Sequence, residues 1–151
     1  MFRRPLLSLA LTAGLTQPLV ADDRFTADRL PLIAEHLQHF GFTHVTELEA
    51  DDGERVTVEG WRHPDWHSEL TWSLATGQGL EEELEYGIGA PWGINPGDIP
   101  RLVAWMTRDG ELARIESLEI EHDGAIELEG EDAAGDSVTR RARLEAFPGR
   151  R

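Results

Sequence analysis

The chain has 151 residues, carries 29 Asp and Glu against 14 Lys and Arg, lacks Cys altogether, and has a formal net charge of −15 at pH 7. So negative a surface, with every basic residue an Arg, repels phosphate and argues against nucleic acid or an anionic membrane as a partner. Without cysteine there is no disulfide and no lipid-modified N-terminal thiol, so the core alone must hold the fold.

The first element is a leader. Met1, Phe2, Arg3 and Arg4 precede an apolar run from Pro5 to Leu15, and Ala21 stands before the charged Asp22. A basic start, an apolar stretch too short to span a bilayer and a small residue at the boundary predict a signal peptide over 1–21 and a periplasmic or secreted protein, with no membrane span after cleavage. General adaptation of an acidic proteome to salt accounts for the charge more simply than a specific cationic ligand does.

The remaining sequence repeats. At an offset of seventy residues Phe25 to Gly79 returns as Asn95 to Gly149, with Asp28 on Asp98, Leu32 on Leu102, Leu48 and Glu49 on Leu118 and Glu119, Glu59 and Gly60 on Glu129 and Gly130, and Leu74 on Leu144. Partners that differ keep their type, as do Val45 and Ile115 or Val58 and Leu128. One supersecondary unit used twice explains this, and units of this size need a shared interface.

Each unit opens with a short one-sided helix. Asp28 is the expected N-cap of the first, whose stripe is Leu30, Ile33, Ala34, Leu37 and Phe40 and whose stop is Gly41; Asp98 and Gly110 take those places in the second. Hairpins follow. Leu48 and Ala50 precede Asp51-Asp52-Gly53, and Leu118 and Ile120 precede His122-Asp123-Gly124. Three-residue loops with a left-handed glycine set Leu48 opposite Val56 and Ile120 opposite Ile126, inward against inward. Third strands are expected over Trp66 to Leu74 and Ser137 to Ala146. The order helix, hairpin, strand predicts an α+β fold of two tandem modules, each a short helix on an antiparallel sheet of three to four strands. Residues 25–86 form the first module, 87–97 a Gly/Pro connector whose Trp92 and Ile94 dock against a sheet, and 98–149 the second module.

Gly41-Phe42, Val45, Glu47 to Glu49, Asp52-Gly53, Val56 to Gly60 and Leu74 with Thr76-Gly77, with Asp123-Gly124 and Ala134-Gly135 in the second copy, resemble the PepSY family of peptidase propeptides and small exported proteins. The tandem arrangement is also similar to the architecture of the β-lactamase inhibitor protein. The resemblance implies a non-catalytic role: inhibiting or assisting peptidases, or regulating partners outside the cytoplasm; the expected partner is a protein, a peptidase or a sensor's extracytoplasmic domain. The first copy departs from the family at Arg62-His63-Pro64-Asp65-Trp66-His67.

No Cys nucleophile, Gly-x-Ser-x-Gly elbow or phosphate-cradling glycine loop is present, so no catalytic residue and no cofactor are assigned. His36 and His39 lie three apart on the first helix, not in the four-apart pattern of a metalloprotease, and no metal site is assigned. Glu81, Glu82, Glu83 and Glu85 alternate with Leu80 and Leu84 as the wet face of an extended or helical segment. Arg141 and Arg143 are expected to pair with Glu127 or Glu129 across strands. Trp72 is expected in the core. Trp61 and Trp66, bracketing the Pro-rigidified loop, are expected at the surface, which makes Trp61, His63, Trp66 and His67 the candidate partner-binding set. A periplasmic metal- or small-ligand-binding protein is the alternative.

Overall fold

A computed structural model describes residues 23–149 except Gly53 and Ile88. The expected signal peptide, residues 1–21, and the left-handed conformation expected of Gly53 lie outside the described residues.

The elements are β1 (Phe25–Thr26), α1 (Leu30–His39), β2 (His44–Ala50), β3 (Arg55–His63), β4 (Trp66–Ser73), β5 (Gly79–Tyr86), α2 (Ile99–Met106), β6 (Arg114–Ile120), β7 (Ala125–Glu131) and β8 (Ser137–Arg143). The eight strands among the described residues join one antiparallel sheet in the order β5-β4-β3-β2-β6-β7-β8, with β1 added to β6. The fold is mixed and sheet-dominated, with two short α-helices among the described residues. The sheets expected of two separate units are one continuous sheet, because β2 and β6 pair at its centre.

That central pairing is symmetric. Leu48 faces Leu118, its counterpart seventy residues on, as a local two-fold axis between the strands requires. Registers within the two hairpins also agree at that offset: Leu48 faces Val58 and Ala50 faces Val56, while Leu118 faces Leu128 and Ile120 faces Ile126. The pair expected between Leu48 and Val56 is therefore displaced by two residues. The Asp51 N–H donates to the Arg55 carbonyl at 3.0 Å, so the first loop is 52–54, in step with 122–124. Gly124, at φ +89°, is left-handed as expected.

Both strand pairs bulge at matching places, between Val45 and Glu47 and between Ile115 and Ser117. The bulges drive a carbonyl of the bulged strand toward the partner. A Cβ on Gly60 would lie 2.2 Å from the His44 carbonyl oxygen, and one on Gly130 2.0 Å from that of Arg114. Only glycine fits there.

The helices begin otherwise than expected. Each is entered through a 3-10 turn, 27–29 and 96–98, and neither Asp28 nor Asp98 caps an N-terminus with its side chain. Asn95 instead accepts from the Gly97 N–H at 2.9 Å, and Asp98 pairs with Arg101. Gly41, at φ +87°, follows the end of α1. Gly110 does not stop α2, which ends at Met106 where Thr107 turns extended and its hydroxyl donates to the Val103 carbonyl at 2.8 Å.

One buried core runs beneath both helices. Ile33 and Leu37 of α1 and Ile99, Leu102 and Val103 of α2 join Leu48, Val58, Leu118 and Leu128 of the sheet in it. The segments before the helices interlock the two halves. Phe25 pairs with Ile115 of β6, and Ile94 pairs with Val45 of β2. Among the described residues, no helix is long and apolar enough to cross a membrane.

Candidate functional site

The turn joining β3 and β4 is Pro64-Asp65, which sets Trp66 beside His63. It is anchored on three sides. Arg62 donates from Nε to the Phe40 carbonyl at 2.8 Å, satisfying an acceptor at the C-terminal end of α1. The same guanidinium pairs with Glu82 of β5, whose carboxylate also accepts from the buried Ser68 hydroxyl at 3.0 Å. Finally, the Gly87 N–H donates to the Asp65 carbonyl at 2.9 Å, tying the end of β5 to the turn.

The four expected partner-binding residues divide between the two faces. Trp66 is exposed, 43 %, and meets Tyr86 of β5 edge to face with ring centroids 5.7 Å apart. His63 is exposed, with Nδ1 3.8 Å from Asp65. Trp61, expected at the surface, is buried. It lies on the other face at 5 % exposure, packed against the edge of the His67 ring at 5.4 Å and under Gly87, where a Cβ would come within 2.1 Å of the indole. The physical reason is the chain's return after β5, which lays backbone over the ring and leaves its N–H without a partner among the described residues. So the structure brings His63 and Trp66 together, and Trp61 with His67 beneath them.

Sequence reasoning missed β5 as part of this surface. Tyr86 and Leu84 face Trp66 and Ser68 across the ladder. Leu80, Leu84 and Tyr86 are 52 %, 53 % and 68 % exposed, and among the described residues no strand lies outside β5. The alternation of Leu84 and Tyr86 with glutamates was the legible signal of an edge strand; that its apolar side is uncovered depends on tertiary packing.

The face opposite the helices carries a second feature the sequence hides. Glu83, Glu69, Glu59, Glu47, Glu119 and Glu127 stand directly opposite one another on six consecutive strands. The row ends at Arg141, which reaches Glu127 at 2.6 Å as expected; Arg143, expected to do likewise, pairs with Asp123 and Glu145 instead. Like charges opposite each other in a sheet repel. Partial burial first, then Glu59 and Glu119, push the Glu47 carboxyl up to about 7; burial and then Glu59 raise Glu69, and burial and then Glu121, with which it shares a hydrogen bond, raise Glu119.

The histidines on α1 have structural work. His36 Nδ1 accepts from the indole N–H of the fully buried Trp72 at 3.0 Å, and His39 packs on Phe40. Among the described residues no group of three or more His, Asp or Glu has the geometry to hold a metal ion. No protein-family model, curated protein or solved structure matches the chain.

Proposed function

We propose that this chain is an exported, non-catalytic protein-binding protein built of two PepSY-like units, whose partner is an extracytoplasmic protein such as a peptidase or a sensor domain. One observation carries the reading. Of the five large hydrophobic residues exposed among the described residues, Trp66, Leu80, Leu84 and Tyr86 all lie on β4 and β5 at one open edge of the sheet. Monomeric proteins seldom gather exposed apolar residues so. An edge strand presents unpaired backbone groups to an incoming strand, and an aromatic pair beside it supplies the anchor that such contacts need. The matching hairpin registers and central two-fold pairing support the two-unit reading, as does the repeat itself.

The test begins with capture of a partner from periplasmic extract on the mature chain, followed by affinity measurement with that purified partner. Replacing Trp66 and Tyr86 by Ala should weaken binding about tenfold or more with little change in melting temperature, since both are exposed. Changing His63 and His67 to Ala should matter less. A partner bound equally well by the Trp66→Ala, Tyr86→Ala protein would sink the assignment of this edge.

A further inference from the structure

We infer that the segment received at the β4–β5 edge is an extended strand of another protein in which Lys or Arg alternates with apolar residues, added outside β5; this rests on that edge being the contact surface and concerns only what fits it. Every residue of β5 is exposed, and its ladder to β4 is regular from Glu81 to Tyr86, the bulge lying opposite Thr71 and Trp72 at the other end. That stretch of open backbone suits strand addition, in which main-chain hydrogen bonds give affinity and alternate side chains give selectivity.

The two sides of β5 ask for different side chains. On the side of the helices Leu84 and Tyr86 stand across from Ser68 and Trp66, and Glu82 there is already answered by Arg62. On the opposite side Glu83 and Glu85 stand across from Glu69 and His67, and neither forms an ion pair among the described residues. An incoming strand sets one of its residues opposite each of these, at Cβ separations of about 5 Å. Apolar residues then meet Leu84 and Tyr86, and basic residues meet Glu83 and Glu85. A cation beside Glu83 also relieves its repulsion with Glu69.

The far edge of the sheet holds the chain's own example of such a strand. There the glutamate row ends on β7, and the outermost strand, β8, sets Arg141 opposite Glu127 at 2.6 Å. At the β5 edge the row ends on Glu83, and no strand follows among the described residues. A second copy does not supply the complement. Pairing β5 antiparallel with itself about a two-fold axis keeps each face on its own side and opposes glutamate to glutamate. The arginines of β8 are engaged within their own chain, Arg140 by Glu111, Arg141 by Glu127, and Arg143 by Asp123 and Glu145. The net charge of −15 draws a basic segment from a distance as well.

The probe is a capped peptide of alternating arginine and valine, titrated into the isotope-labelled mature chain. A peptide of alternating glutamate and valine, and the arginine peptide methylated on its backbone nitrogens, are the controls. Saturable binding is expected of the first peptide alone, with slowed hydrogen exchange at alternate amides between Glu81 and Tyr86, those that β4 does not bond. Glu83→Gln combined with Glu85→Gln should weaken it about fivefold and reduce its salt dependence. Both positions are exposed, so that variant keeps the fold. The peptide should also compete with the captured partner. Equal binding of either control, binding without protection of β5 amides, or protection that rises with protein concentration alone, as a second copy would give, overturns the basic strand. A partner lost by the Trp66→Ala, Tyr86→Ala protein but bound normally by the glutamine variant, and not displaced by the peptide, overturns it too while the edge stands. A partner indifferent to both variants and to the peptide removes the edge itself, and the strand with it.

Discussion

At the scale of single residues, the fold depends on glycines placed by two different constraints. Gly60 and Gly130 are needed because a bulged neighbour pushes a backbone carbonyl to where a side chain would begin. Backbone cannot swing aside as a flexible side chain can. Gly130→Ala should therefore destabilise by about 2 kcal/mol, the cost of overpacking, measured as a lower urea midpoint at unchanged slope. Gly124 is needed for its φ of +89°. Gly124→Val should cost at least about 1 kcal/mol, because a β-branched residue is disfavoured in left-handed backbone. The repeat of Gly60 at Gly130 was readable in the sequence. The bulge that explains it was not, since a bulge is a property of two strands together.

At the scale of elements, the glutamate row makes the sheet sensitive to pH. Glu47 at its centre faces Glu59 on β3 and Glu119 on β6, with Glu49 on its own strand and Glu69 beyond β3. Its carboxyl is raised from 4.5 to about 7 in the folded chain, so between those values the folded state holds more protons than the unfolded one. Stability therefore falls as pH rises through that window, and the cost is fully present above it. After allowance for solvent screening, the loss at Glu47 is on the order of 1–2 kcal/mol. Urea unfolding should give a higher midpoint at mildly acid than at mildly alkaline pH, and Glu47→Gln should raise the alkaline value and flatten the dependence. A midpoint independent of pH across the window would show that the row is fully screened. Along each strand these glutamates are ordinary outward residues, Glu47 and Glu49 beside Leu48. Only pairing lines them up.

At the scale of the whole molecule, the continuous core and the central β2–β6 ladder tie the two halves into one cooperative unit. Calorimetry should show a single transition with equal calorimetric and van't Hoff enthalpies, and residues 23–86 alone should not fold, since the fragment loses the β6 partner of β2 and the Ile94 partner of Val45. Two separated transitions would instead mark independent modules. The sequence by itself determined the local structure: hairpins from alternation and turn glycines, short helices from their apolar stripes, and Trp72 in the core. These are set by residues near one another in the chain, where period and turn chemistry suffice. Tertiary structure alone decided that the two sheets are one, that Trp61 is covered while Trp66 is not, and that six glutamates share a row. Each depends on which distant segments meet and in what register, and a shift of two residues, such as moved Leu48 from Val56 to Val58, leaves every inward and outward assignment unchanged.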